Sequence, residues 1–196
     1  SNLAATAEGV GVITLTWMDN SDNENSFRIE RSPDGVTNWE QIAEVTLNIA
    51  TYTDTGLTES TPYFYRVRAY REVDALHSEY SNTATTTTFS FLVAPSNLVA
   101  STYCGGNVWL SWQDSNLDES AFQVEKSPNG ADSWELLAEL APETTTYQDT
   151  LLPGSGGFYR VRAYREADQM ISEYSDTVFA FMNYCSFLPQ INGGTP

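Results

Sequence analysis

Residues 14–35 read TLTWMDNSDNENSFRIERSPDG, and residues 109–130 read WLSWQDSNLDESAFQVEKSPNG. In both stretches apolar and polar residues alternate on either side of an acidic turn that is rich in Asn and Ser. Alternation with a period of two is typical of a β-strand that buries one face. Each stretch therefore predicts two strands joined by a turn, and the chain carries this unit twice.

The duplication extends over nearly the whole chain of 196 residues. Matching aromatic residues lie 95 positions apart in its first half and 94 apart from Tyr65 and Tyr159 onward. We therefore predict a first domain at residues 1–93, a second at 94–185 and a C-terminal tail at 186–196. The aromatic residues expected in the two cores are Trp17, Phe27, Trp39, Tyr52 and Tyr65, and their counterparts Trp112, Phe122, Trp134, Tyr147 and Tyr159.

Short alternating runs separated by turn residues indicate an all-β fold. Turn signals such as Pro33-Asp34-Gly35 and Asp54-Thr55-Gly56 recur along each copy, and no stretch shows a convincing helical stripe. Closely spaced short strands of this kind predict a β-sandwich whose inward-facing residues form one core per domain.

This pattern resembles the fibronectin type III domain, in the form found in extracellular bacterial proteins. The resemblance implies two consecutive seven-stranded immunoglobulin-like β-sandwiches with a short junction. It also implies that the Tyr63 hydroxyl ties down the preceding turn. Gly157 stands at that position in the second copy, where we expect a remodelled turn. The residues that carry the resemblance are Trp17, Trp112, Asn23–Ser32, Tyr52–Thr55, Leu57, Tyr63, Tyr65, Val67 and Ala69.

The charge of the chain excludes several classes of partner. Asp and Glu number 26 against nine Lys and Arg, which gives a formal net charge of −17. Phosphate backbones and anionic membrane surfaces attract cationic proteins, so nucleic acid is not an expected partner. No apolar run approaches the ~18 residues that a spanning helix needs, so membrane insertion is not expected either.

Catalytic residues are scarce. His77 is the only histidine, and its counterpart in the second copy is Ile171. A histidine without a matched nucleophile or carboxylate is a poor general base, and no carboxylate pair stands in an apolar setting that would favour glycosidase chemistry. We predict that the protein is not an enzyme and needs no cofactor.

The acidic turns raise a calcium hypothesis, because clustered carboxylate oxygens suit that ion. The alternative, which we favour, is a solvated turn whose Asp and Asn side chains accept hydrogen bonds from nearby backbone groups. The spacing does not match an EF-hand loop. The candidate ligands are Asp19, Asp22 and Glu24 in the first copy, and Asp114, Asp118 and Glu119 in the second.

Two cysteines lie far apart in the sequence, and neither belongs to a zinc-binding pattern. By the resemblance, Cys104 lies in the first turn of the second domain and Cys185 lies just beyond its last strand, at the same pole. We predict a disulfide between them, and two buried free thiols are the alternative. A disulfide would place the protein in an oxidising compartment, outside the cell or on its surface.

The tail is unusually apolar and includes Phe187, Leu188, Pro189 and Ile191. It either covers the open end of its own domain or pairs with a neighbouring subunit by strand addition. The arginine stripes around Arg66 and Arg160 are expected to pair with Glu30 and Glu125.

These features together predict a non-enzymatic extracellular structural or adhesion module whose partners are other surface proteins or further copies of itself. An end-to-end assembly or filament would use its strand edges and tail. The alternative is an accessory carbohydrate- or ligand-binding module of a larger secreted enzyme.

Overall fold

The structure is a computed structural model that describes residues 2–103 and 105–184. Its contacts divide the chain into two compact units, of which the first is Ser1–Phe91 and the second begins at Leu92. This division lies two residues before the boundary expected from the sequence, because the Leu92 side chain is buried in the core of the second unit.

The first unit is a pair of antiparallel sheets. Its strands are β1 (Ala4–Gly9), β2 (Val12–Thr16), β3 (Ser26–Ser32), β4 (Glu40–Thr46), β5 (Thr51–Thr55), β6 (Pro62–Arg71), β7 (Leu76–His77) and β8 (Ala84–Thr87). One sheet has the order β1-β2-β5, and the other has the order β4-β3-β6, with β7 and β8 both pairing with β6. A single 3₁₀ turn, Glu72–Asp74, follows β6.

The second unit repeats this topology. Its strands are β9 (Ser96–Tyr103), β10 (Asn107–Gln113), β11 (Ala121–Ser127), β12 (Glu135–Leu140), β13 (Thr146–Thr150), β14 (Gly156–Arg165), β15 (Met170–Ile171) and β16 (Val178–Phe181). The smaller sheet has the order β13-β10-β9, and the larger has β12-β11-β14 with β15 and β16 on β14. Each unit is thus a β-sandwich whose seventh strand is split into two segments.

A repeated Ser-Glu-Tyr-Ser sequence splits the last strand. Ser78 Oγ accepts a hydrogen bond from Ala69 N at 3.0 Å, and Ser81 Oγ accepts one from Val67 N at 3.0 Å. The two hydroxyls replace the carbonyl oxygens of a regular strand, so the backbone groups of β6 remain bonded while the strand beside it bends away. In the second unit Ser172 and Ser175 do the same for Ala163 and Val161.

The inward-facing residues of alternating strands form one core in each unit. In the first core the buried residues are Leu3, Ile13, Leu15, Trp17, Phe27, Ile29, Tyr65, Val67 and Ala84. The second contains Leu92, Leu98, Val108, Leu110, Trp112, Phe122, Val124, Leu151, Tyr159, Val161, Ala163, Ala180 and Met182. Tyr52 and Tyr147 are partly buried against these cores.

Trp39 and Trp134 were predicted to lie in the cores, and this prediction is wrong, because neither belongs to a core cluster. Trp39 lies immediately before β4 and packs on Arg66. Trp134 lies immediately before β12 and packs on Arg160. Arg66 lies between the buried Tyr65 and Val67 on β6, so its side chain and that of Trp39 stand on the outer face of the sheet.

The turn before β6 is tied down as predicted, because Thr58 N donates a hydrogen bond to the Tyr63 hydroxyl at 3.0 Å. The corresponding turn of the second unit is remodelled. Gly154 N donates to Met182 O at 2.7 Å, and Met182 N donates to Ser155 O at 2.9 Å. A Cβ atom on Gly157 would lie 2.9 Å from Lys126 Cε, so the lysine chain covers the position that Tyr63 holds in the first unit. Among the described residues, no helix has the length and hydropathy to cross a bilayer.

Candidate functional site

An arginine stack lies on the outer face of the larger sheet in the first domain. Arg66 donates hydrogens from Nε and Nη2 to Glu30 Oε2 at 2.8 and 2.6 Å. Its guanidinium carbon lies 4.2 Å from the ring centroid of Trp39 and 3.7 Å from that of Tyr80. The Tyr80 hydroxyl donates to Glu30 Oε1 at 2.7 Å. The arginine is therefore held in a sandwich of two rings and one carboxylate.

The second domain builds the same stack. Arg160 donates to Glu125 Oε2 at 2.9 and 2.6 Å and lies 4.0 Å from the ring centroid of Trp134 and 3.6 Å from that of Tyr174. The predicted pairing of the arginine stripes with Glu30 and Glu125 is confirmed. Because these cations and rings bind one another, the stacks stabilise the sheets and offer little to an anionic ligand.

The electrostatics of both stacks favour the charged carboxylate. Partial burial of Glu30 opposes its ionisation, but hydrogen bonds from Tyr80 and Arg66 outweigh that effect and lower the pKa of the carboxyl. Glu125 has a lowered pKa for the same reasons, with Tyr174 and Arg160 as the donors. Both glutamates are therefore structural ion-pair partners at neutral pH.

Three carboxylates meet beside the turn between β10 and β11. Ligand oxygens of Asp114, Glu119 and Glu143 lie within 4.8 Å of one another. Glu119 is buried, its Oε1 accepts a hydrogen bond from Glu143 N at 3.0 Å, and its Oε2 has no hydrogen-bond partner. Glu24, the first-domain counterpart of Glu119, has an unpartnered buried Oε2 as well. An unpartnered glutamate oxygen is thus a common feature of this turn in both domains, and it does not by itself indicate a metal site.

The other predicted calcium ligands are arranged differently. Asp118 Oδ2 lies 2.7 Å from Arg165 Nη1 in an ion pair, and Asp19 Oδ1 accepts a hydrogen bond from Ser21 N at 2.9 Å. Across the described part of the first domain, no three carboxylates gather as in the second, because Asn48 stands where the second has Glu143. Sequence reasoning missed Glu143 because it lies in a different turn, brought close only by the pairing of strands.

His77 has no catalytic setting. It is exposed, its Nε2 lies 2.7 Å from Arg28 Nη1, and its ring centroid lies 4.9 Å from that of Tyr70. Desolvation and the nearby charges of Arg68 and Arg28 lower the pKa of the imidazole. An imidazole beside an arginine and a tyrosine ring is a structural contact. Arg28 also covers the Tyr70 ring at 3.6 Å, so that ring face is occupied.

A pocket lined by both apolar and polar residues opens in the first domain beside the turn between β2 and β3. It has a volume of about 330 Å³, and its lining includes the core residues Trp17, Phe27 and Val67. Ala69, which is only partly buried, and Met18, which is 57% exposed, also line it. We call this feature the open pocket. Trp17, Phe27 and Val67 remain buried at the base of the pocket, at 6%, 5% and 3% exposed.

A second pocket, of about 470 Å³, lies at one pole of the second domain. Gly105 and Gly106 line it together with Asn183 and Tyr184. The neighbours of both cysteines in the sequence therefore meet at one site. Cys104 and Cys185 themselves lie outside the described residues, as do Phe187, Leu188, Pro189 and Ile191 of the tail. The disulfide and the role of the tail stay predictions.

No protein-family model matches the chain, and no curated protein matches it either. A solved structure of the FN1–FN3 domains of chicken CNTN1 is similar, with a TM-score of 0.62 and 17% identity over 94% of this chain. This chain spans 64% of that structure's length. A segment of two fibronectin type III domains from chicken tenascin gives a TM-score of 0.44 at 15% identity, over 93% of this chain and 98% of that one. The all-β architecture of the two units and the similarity to the CNTN1 domains show that the fold is a tandem of fibronectin type III-like sandwiches.

Proposed function

We propose that the chain is a non-enzymatic structural or adhesion module of an extracellular bacterial protein, and that it acts by contact with other protein surfaces. The open pocket carries this proposal. A surface pocket that reaches core residues, with the largely exposed Met18 at its edge, offers an apolar contact to another protein. A fold of this kind hosts many functions, so the function is inferred from this site.

The chemical groups of the described residues support a non-catalytic role. Arg66 and Arg160 are held by carboxylates and aromatic rings, and His77 contacts an arginine. The predicted disulfide would suit an oxidising, extracellular environment. End-to-end association of copies is the form of contact that we propose for the purified protein.

Sedimentation velocity of the full chain over a range of concentrations tests this function. We expect the mean mass to rise with concentration, and electron microscopy of the concentrated protein to show linear chains. Added salt should strengthen the association, because each copy carries a net charge of −17 and salt screens the repulsion between copies. A monomer at every concentration and salt level would contradict the proposal.

Carbohydrate binding is a second candidate, favoured by the exposure of Trp109. Its side chain is 46% exposed on the smaller sheet of the second domain, where its neighbours in register are Ser101 and Gln148. An exposed indole beside a hydroxyl and an amide is suited to a neutral sugar ring. The first domain has Thr14 at this position. Retention on insoluble polysaccharides that is lost in Trp109→Ala but kept in Val99→Ala would favour this function.

A further inference from the structure

The carboxylates of Asp114, Glu119 and Glu143 meet where two turns of the second domain approach each other. Asp114 and Glu119 belong to the turn between β10 and β11, and Glu143 belongs to the turn between β12 and β13. One carboxylate oxygen from each residue lies within 4.8 Å of the other two. Asp118, the third candidate from the sequence in this turn, instead pairs with Arg165. The structure thus exchanges one predicted ligand for another.

The chain supplies no lysine or arginine to this cluster. Lysines and arginines number nine, all of them lie in the described part of the chain, and each forms an ion pair with a carboxylate outside the cluster. Like charges this close repel one another, and no basic side chain balances them. A cation from solution would supply the missing positive charge.

Glu119 adds a buried oxygen that lacks a donor. The residue is 6% exposed, and its Oε1 accepts a hydrogen bond from Glu143 N at 3.0 Å. Its Oε2 is buried and has no hydrogen-bond partner. Burial removes the water that would otherwise solvate this oxygen, so the group requires a donor or an ion.

The donor that serves the matching glutamate of the first domain is absent from the second. A hydrogen bond from the Ser21 side chain is the largest of the effects that lower the pKa of Glu24. Asn116 stands at the position of Ser21, and its Nδ2 donates to Val93 O at 3.0 Å and to Asp114 Oδ1 at 2.9 Å. The side chain at this position therefore stabilises the glutamate in the first domain only.

The third carboxylate is the other difference between the domains. Asn48 stands at the position of Glu143, so the first domain brings an uncharged side chain to the place where the second brings a carboxylate. Glu24 has an unpartnered oxygen too, but it has the Ser21 donor and no third carboxylate beside it. These two substitutions together distinguish a cation site from the ordinary turn.

The ligand atoms and their spacing favour calcium. Carboxylate oxygens are hard ligands, which suit Ca²⁺ and Mg²⁺. Two oxygens on opposite sides of one ion lie about 4.8 Å apart around Ca²⁺ and about 4.2 Å apart around Mg²⁺. Oxygens within 4.8 Å of one another therefore fit around Ca²⁺. Glu143 is exposed and Asp114 is half-buried, so water can complete the coordination.

We propose that Asp114, Glu119 and Glu143 bind one Ca²⁺ ion in the second domain. The ion joins the β10–β11 turn to the β12–β13 turn and removes the repulsion between the carboxylates. Three protein ligands, one of them exposed, make a weak site, so we expect a dissociation constant of about 0.1–1 mM. The site is independent of the proposed contact with other proteins.

Isothermal titration calorimetry of the full chain with calcium chloride tests the site. Sodium chloride at about 0.15 M screens the diffuse attraction of cations to the acidic surface. We expect one Ca²⁺ ion per chain. Glu143→Gln should weaken binding at least about tenfold, and the control Glu135→Gln should stay within about twofold. Both variants lose one negative charge, and Glu135 is exposed at the opposite end of β12 from Glu143.

Thermal melting gives a second readout that also checks the fold. Glu143 is exposed, so Glu143→Gln should melt cooperatively in chelator. Added Ca²⁺ should raise the melting temperature of the unchanged chain and of Glu135→Gln, and should leave that of Glu143→Gln nearly unchanged. Mg²⁺ should bind the unchanged chain at least about tenfold more weakly than Ca²⁺.

Three results would overturn the proposal. Equal Ca²⁺ affinity in Glu143→Gln and Glu135→Gln would mean that the ion is attracted to the acidic surface in general. Neither heat nor a melting shift up to about 10 mM Ca²⁺, ten times the weakest constant expected, would mean that the cluster binds no ion. Mg²⁺ binding as tight as that of Ca²⁺ would refute the choice of ion. Each of these results leaves the proposed function untouched, because self-association is measured separately.

Discussion

The hydroxyl of Tyr159 donates a hydrogen bond to Asp149 Oδ2 at 2.7 Å, and Lys126 Nζ lies 2.8 Å from the same oxygen. The first domain repeats this arrangement with Tyr65, Asp54 and Arg31, at 3.0 and 2.8 Å. Tyr159 and Tyr65 are both fully buried. Each core thus contains a tyrosine whose one polar group is satisfied by an aspartate that is itself charge-paired.

Tyr159→Phe removes the donor and leaves Asp149 with Lys126. We expect the free energy of unfolding to fall by about 1–3 kcal/mol, because the partly buried, charged Asp149 carboxylate loses the hydrogen bond that the buried Tyr159 hydroxyl donates. Urea unfolding followed by tryptophan fluorescence measures the change. Tyr147→Phe is the control, since Tyr147 is only partly buried, and it should cost much less. Equal losses in the two variants would contradict the prediction.

The lowered pKa values of Glu30 and Glu125 predict an acid-sensitive fold. Burial alone would raise each pKa, but the tyrosine and arginine donors lower it below the usual 4.5. The unfolded chain therefore takes up protons first as the pH falls. The stability from these groups is complete above pH 4.5 and is lost as the pH falls through the folded value.

Urea unfolding at a series of pH values from about 7 to about 3 measures this loss. We expect Glu125→Gln to be less stable than the unchanged chain at neutral pH, and to lose less stability as the pH falls. Gln123→Glu is not a suitable control, because it adds a carboxylate beside Arg162. Glu166→Gln, on the exposed turn after β14, leaves the stack intact and should keep the original slope. An unchanged slope in Glu125→Gln would count against the assignment.

The alternating pattern and the in-register duplication were enough to predict the sandwiches and the arginine–glutamate pairs, and the resemblance to the fibronectin type III domain predicted the Tyr63 hydrogen bond. Trp39 and Trp134 were misplaced because each stands outside its strand, where alternation no longer states which face a residue occupies. Large aromatic residues usually pack in a core, but these two tryptophans pack on arginine side chains instead.

Contacts between turns were the other source of error. Glu143 approaches Glu119 only after β12 and β13 have been placed, and Leu92 belongs to the second core although it precedes the first strand of that domain. A single sequence contains no periodic signal for either contact. The duplication did contain an indirect signal for the Glu119–Glu143 contact, since Glu143 differs from Asn48, the residue at the matched position of the first copy.

Glu143→Asn gives the second domain the residue that the first domain has at the matched position, Asn48. Glu143 has a φ of 60°, a left-handed conformation that Asn tolerates better, and its carboxylate lies near those of Asp114 and Glu119. We expect the variant to be more stable than the unchanged chain in the presence of a chelator, by about 0.5–1 kcal/mol, because repulsion and backbone strain both fall. A calcium titration of both proteins by thermal melting shows whether the three carboxylates bind the ion. A lower melting temperature for the variant in chelator would contradict the prediction.

The predicted Cys104–Cys185 disulfide has a direct chemical test. Gly105 and Tyr184, the described neighbours of the two cysteines, line one pocket. Intact-mass and peptide mapping without reduction should give one linked pair and no reactive thiol. On the chain-entropy model, closing a loop of about 80 residues stabilises by up to ~4 kcal/mol, so reduction should lower the melting temperature. Two thiols that react with iodoacetamide under native, oxidising conditions would refute the pairing.

Leu92→Ala tests how much the segment before β9 stabilises the second domain. Leu92 is 8% exposed, and the neighbouring Val93 is 54% exposed. Truncating a buried leucine to alanine costs about 2–5 kcal/mol, so the second domain should unfold at lower denaturant concentration while the first domain is unaffected. Val93→Ala is the matched control and should change stability by less than about 0.5 kcal/mol. Because the two domains repeat one fold, a large loss in Leu92→Ala would show how much a segment in this position stabilises a sandwich. A loss no greater than that of Val93→Ala would mean that this segment contributes little to the stability of the second domain.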